Sequence, residues 1–204
     1  MGIGLLLVRL GGEAIDVLAP RDRAIVAWQL GRPPVAAIGV AHRCPYGYPQ
    51  VVVTHPLHRD DERFVVFPTL FWLSCPFVGA AVARLESTGG VKRFESRLAR
   101  DPALAVRSRA AHDAYREERR ALLSLEELAF LRDVGALDRL ETGIAGLASP
   151  HRVKCLHAHL AHFLARGENP IGEAVATELI QLFCPAERVL CAGIAEEGPS
   201  CCQR

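Results

Sequence analysis

The sequence predicts an α+β fold. A small antiparallel three-stranded sheet, over about residues 35–73, packs against helices from the C-terminal half. Two observations carry this reading. Up to Leu73 the chain alternates short β-branched or aromatic runs with turn residues, and from Pro76 onward apolar residues recur at helical spacing. Prolines open the later segments and glycines close them, as helix termini prefer.

Taken in order, residues 1–18 hold a short apolar run and Gly11-Gly12, and read as an added strand or a loose N-terminal extension. Pro20 to Leu30 reads as a helix with a first-turn proline and Gly31 as its stop. Pro33-Pro34 breaks the chain. Val35 to Val40 is the first strand, Gln50 to Thr54 the second, and Phe64 to Leu73, interrupted by Pro68, the third and edge-like one. Pro76 to Leu85 is an apolar helix ending near Gly89-Gly90, and 92–133 forms two or three surface helices. Ser149-Pro150 reads as a cap and first-turn proline opening a helix to about 166, and Asn169-Pro170 opens a last helix to about Phe183. Residues 19–192 are thus expected as one α+β domain, with 193–204 a flexible tail.

Composition narrows the function classes. The chain has 204 residues, half of them hydrophobic, and a net charge of +1. These values suit one globular domain and exclude wholesale disorder. They supply no global field for nucleic acid or an anionic membrane. No apolar run approaches the ~20 residues of a membrane span, and no signal-peptide pattern opens the chain, so the expectation is a cytoplasmic protein with no membrane partner. In a reducing compartment its seven cysteines (44, 75, 155, 184, 191, 201, 202) favour metal binding, catalysis or plain burial over disulfides.

Three cysteines precede proline: Cys44-Pro45, Cys75-Pro76 and Cys184-Pro185. With a helix starting at Pro76, Cys75 is an N-cap, where free amides and the helix dipole favour a thiolate. A second cluster runs from Cys155 through His157 and His159 to His162. If 150–166 is one helix, His159 lies roughly 40° from Cys155, His162 roughly 20° on its other side, and His157 roughly 160° away. A cysteine and two histidines on one stripe could ligate a borderline metal, or orient a thiolate–imidazole pair. The structural alternative is packing, since free cysteine is often simply buried. No Cys-x-x-Cys pair occurs, and Cys44, Cys75 and Cys155 stand 31 and 80 residues apart.

Arg43-Cys44-Pro45-x-Gly47-x-Pro49, Phe67-Pro68-Thr69-Leu70-Phe71-Trp72-Leu73-x-Cys75-Pro76 and Val153-Lys154-Cys155-Leu156-His157 with His162 resemble the bacterial family termed domain of unknown function 501. Arg84-Leu85-Glu86, Ala111-His112 with Tyr115, and Asn169-Pro170-Ile171-Gly172 match as well. The resemblance spans about Leu30 to Phe183 and implies a small cytosolic bacterial protein, without implying an activity. Many members read Cys-Pro-Cys-Gly at the first motif, where this chain has Tyr46. The family pattern favours His157 and His162, whereas the helical stripe favours His159 and His162.

The leading expectation is therefore one metal site from Cys44, Cys75 and Cys155, with His162, His159 or His157 as fourth ligand. Zinc is its preferred occupant and an iron–sulfur cluster the alternative. The competing readings are a metal-free thiol enzyme using Cys75 and a histidine, and an interaction module. For the module, residues 92–120 carry nine basic against five acidic side chains, and Arg93, Arg97 and Arg100 share a face. This surface could meet RNA or an acidic partner, though such runs are more often solvated helix faces. Arg43, Tyr48 and Trp72 are candidate ligand-binding residues; Arg43 could hold an anion or pair with an acid in the 59–63 loop.

Overall fold

The computed structural model describes residues 8–10, 13–60 and 63–194. β1 (Val8–Leu10) and β2 (Glu13–Val17) form a hairpin, and α1 (Pro20–Leu30) follows. Pro20 sits at its first turn and Gly31 closes it with φ 66. β3 (Ala37–Arg43), β4 (Pro49–Thr54) and β7 (Phe71–Leu73) supply the predicted strands. The sheet is larger than three strands: its order is β1-β2-β3-β4-β7, antiparallel throughout. The N-terminal stretch is therefore an added hairpin at the edge beside β3. The predicted third strand also splits. Its first part, β6 (Phe64–Val66), pairs instead with β5 (Leu57–Arg59) in a separate ribbon, and Pro68 lies in the connection to β7.

All six residues of β4 are buried, because both faces of the sheet are covered. Val51 and Val53 point into the main core, while Val52 joins Leu18, Val26, Ala37 and Val40 under α1. This is the two-residue alternation of a strand between two layers. The sequence placed helices on one face only; α1 covers the other.

The opposite layer holds α2 (Pro76–Ser87), α3 (Gly90–Arg100), α4 (Pro102–Ala121), α6 (Leu156–Arg166) and α7 (Pro170–Leu179). α5 (Leu125–Asp133) packs with β5, β6 and the 3-10 turn at Leu137–Glu141 around Leu57, Leu131 and Leu140. Asp101, Ser124 and Asn169 cap α4, α5 and α7 with their side chains. α7 lies so close to α6 that a Cβ at Gly172 would meet the His159 carbonyl oxygen at 2.2 Å. Only glycine fits that crossing.

Two predicted helix bounds need correction. The helix expected from about 150 starts at Leu156, with residues 152–155 outside any regular element and Cys155 at φ −138, ψ 112. The last helix ends at Leu179 rather than near Phe183, with Ile180 at φ 63.

Candidate functional site

The start of α6 lies against α2, meeting its first turn at Gly79 and its last at Glu86. Gly79 and Glu86 are seven residues apart, two helical turns, so they share one face of α2. Cys155 is the extended N-cap residue of α6, and Leu156 donates its amide to Glu86 Oε1 at 2.6 Å. His157 Nδ1 lies 3.2 Å from the same oxygen, and its Nε2 donates to the Gly79 carbonyl at 3.1 Å. Among the described residues, Glu86, Cys155 and His157 form the one group of at least three Cys, His, Asp or Glu whose ligand atoms all lie within 4.8 Å. All three side chains are partly exposed.

Electrostatics agree with that geometry. A hydrogen bond to Cys155 is the largest influence on His157, followed by burial, which opposes it, and by the charges of Glu86 and Cys155; the pKa is raised to about 9. At neutral pH, without a metal, the ring is an imidazolium beside Cys155 and Glu86. Cys155 and His157 also line a cavity of about 380 Å³ whose other walls are Thr69, Phe71, Trp72, Leu73, Ala145 and Ala158.

His159 and His162 lie elsewhere, in the interior. The stripe that joined them to Cys155 assumed a helix running through residue 155, and Cys155 instead precedes it. His159 Nδ1 lies 3.3 Å from Asn169 Oδ1, and Asn169 Nδ2 lies 3.2 Å from His162 Nδ1. His162 stacks on Phe71 and meets Tyr115 edge-on, while His112 stands edge-on to His159. Burial pushes both His159 and His162 down to about 3 and His112 to about 4. These three rings are neutral core groups.

Cys44, which follows β3, and Cys75, which follows β7, share a region with Cys184 and Cys191, and neither joins the group of Glu86, Cys155 and His157. Cys75 does cap α2. Burial nevertheless raises its pKa, outweighing the amides of Val78 and Phe77 that favour the thiolate. Cys201 and Cys202 fall outside the described residues. Arg43 pairs with Asp16 and, through both terminal nitrogens, with Asp22; two acids of the 59–63 loop fall outside the described residues. Tyr48 is half-buried and its carbonyl accepts the Cys44 amide. Trp72 borders the Cys155 cavity and carries the Arg32 guanidinium 5.3 Å from its ring centroid. Much of the basic 92–120 stretch is occupied within the chain: Arg93 pairs with Glu178, Arg107 with Glu173, Arg116 with Asp113 and Arg120 with Glu141. Arg119 is fully buried and donates to the carbonyls of Pro68, Leu140 and Thr142.

Glu86 is the site residue that sequence reasoning missed. Its only signal was membership of the Arg84-Leu85-Glu86 stretch, since it lies 71 residues from His157.

A family model for a protein of unknown function (DUF501) matches residues 40–177. The chain belongs to the DUF501 family. That segment contains Glu86, Cys155 and His157, together with Cys44 and Cys75, whereas Cys184 and Cys191 lie beyond it. No curated protein and no solved structure matches the chain. Among the described residues of this DUF501 member, no helix is long and apolar enough to cross a membrane.

Proposed function

We propose that the chain is a metal-binding protein whose working site is Glu86, Cys155 and His157. The observation that carries this reading is the hydrogen bond from His157 Nε2 to the Gly79 carbonyl. It fixes the ring and leaves Nδ1, beside Glu86, as the nitrogen for a metal, as ligating histidines are commonly held. A thiolate, an imidazole and a carboxylate suit zinc, and three protein ligands are the pattern of a site with an open position. Such an ion polarises a bound oxygen or activates water. The neighbouring cavity has aromatic and aliphatic walls, so a small, largely apolar substrate bearing one polar group fits it best. Binding would displace the proton on Nδ1 and that of the thiol.

The test is metal analysis of the purified chain with equilibrium zinc titration. About one zinc per chain is expected here, with at least a tenfold loss of affinity in Cys155→Ser and His157→Ala. Unchanged zinc affinity in both variants would refute the assignment. A metal-free thiol nucleophile is the second reading, favoured by the His157 imidazolium beside Cys155. It requires rapid alkylation of Cys155 after exhaustive chelation, slowed in His157→Ala.

A further inference from the structure

A cavity of about 530 Å³ opens between α4, α6 and the start of α7. It shares no wall residue with the Cys155 cavity. On the α4 side, Arg107, Ala110, Ala114 and Glu118 recur at three- or four-residue spacing, one helical face with only methyl groups at its middle. Those small side chains leave the space. Glu118 receives Arg166 Nε with both carboxylate oxygens, at 3.1 and 3.0 Å, and Arg107 holds Glu173 at 2.7 Å. Glu168 is exposed at the rim. Pro170, the first residue of α7, lines the cavity too, which brings the positive end of that helix to the same space.

His162 is 2% exposed and still lines this cavity. Its ring is clamped, stacked on Phe71 and edge-on to Tyr115. The Gly172 amide donates to Asn169 Oδ1 at 2.9 Å, which fixes which end of that side chain is the oxygen. Asn169 Nδ2 therefore donates to His162 Nδ1. Burial pushes the His162 pKa down to about 3, so the neutral ring carries one proton, and that proton sits on Nε2. With Nδ1 turned to Asn169, the nitrogen left for the cavity is an N–H donor. It has no lone pair for a metal and suits an oxygen acceptor.

We infer that this cavity binds a free amino acid or similar small zwitterion, its carboxylate accepting from His162 Nε2–H beside the start of α7. The charges select that class. Arg107 and Arg166 stand against Glu118, Glu168 and Glu173, so a simple anion gains no net field. A ligand with both signs uses both: the neutral donor and the helix end take its carboxylate, and Glu168 takes its ammonium. The volume falls within the ~300–1,000 Å³ of small-molecule sites.

The test is a ligand panel on the full chain, read by nitrogen NMR of the histidine rings. The common free amino acids, acetate and ethylamine are each added at millimolar concentration. Without ligand, His162 should show the Nε2–H tautomer. At least one amino acid should shift its Nε2, and acetate and ethylamine should bind about tenfold more weakly or worse. Glu168→Gln should weaken the amino acid about tenfold. Ala114→Leu fills the cavity from an exposed helix position and should abolish binding in a folded chain; Ala110→Leu replaces it if that variant misfolds. The proposal is overturned if no amino acid shifts His162, or if its proton lies on Nδ1. It is equally overturned if acetate binds as tightly as any amino acid, or if a folded leucine variant binds unchanged.

Discussion

Acid will unfold this protein through His112, His159 and His162. Each ring is neutral in the folded state, with its pKa lowered to about 4, 3 and 3 respectively, chiefly by burial. In the unfolded chain each returns to about 6.5. Below that value the unfolded state binds more protons, so stability is fully present above about pH 6.5 and falls as the pH drops toward 3. At about pH 5, each histidine favours unfolding by about 2 kcal/mol, and the three together by about 6 kcal/mol. Typical domains hold only about 5–15 kcal/mol in total. The slope near pH 5 approaches three protons, or about 4 kcal/mol per pH unit. Urea unfolding at several pH values between about 5 and 7.5 measures that slope, and direct proton uptake on unfolding checks it. His112→Gln should remove about one proton from it. Uptake of less than one proton at about pH 5 would show that the rings are charged in the fold, and would refute the reasoning.

His157 works in the opposite direction and in a different window. With its pKa raised to about 9, the metal-free protein keeps its contribution below about pH 6.5 and loses it as the pH rises through 9. Cys155→Ser should bring the ring's titration, followed by NMR, back toward 6.5, and Glu86→Gln should do so to a lesser degree. Gly172→Ala forces a Cβ against the His159 carbonyl and Phe163 Cβ, and should cost about 1–3 kcal/mol in a urea midpoint series. Arg119→Met strips donors from the carbonyls of Pro68, Leu140 and Thr142, and should lower stability by about 3 kcal/mol or more. Arg93→Gln, by contrast, removes an exposed pair with Glu178 and a contact with the Phe94 ring, and should change stability by about 1 kcal/mol or less.

Local signals were readable where the chain's own chemistry sets the structure. Pro20 with Gly31, Cys75 with Pro76, and Asn169 with Pro170 mark helix ends that the fold adopts. The α1 layer was hidden because β4 reads as one continuous apolar run, which does not say that both of its faces are covered. The third strand divided because Phe64–Val66 and Phe71–Leu73 each found a different partner, a long-range choice absent from their composition. The histidines of α6 give the sharpest lesson. Ser149-Pro150 looks like a helix start, but the helix begins six residues later, at Leu156. Helical spacing then no longer relates Cys155 to His159, and the extended residue 155 meets His157 instead. Family resemblance had singled out His157 without a geometric reason. Glu86 and Gly79, which complete that reason, come from another helix.

One carboxylate oxygen of Glu86 receives the Leu156 amide and also faces His157. The acid therefore pins the first turn of α6 and aims its imidazole with the same atom. Pre-organisation follows: most of the ordering entropy is spent when the chain folds, not when an ion arrives. If a cation binds as proposed, it meets donors already in formation, and sharing that oxygen loosens the amide's anchor. Its occupancy and the firmness of that helical turn would then be thermodynamically linked.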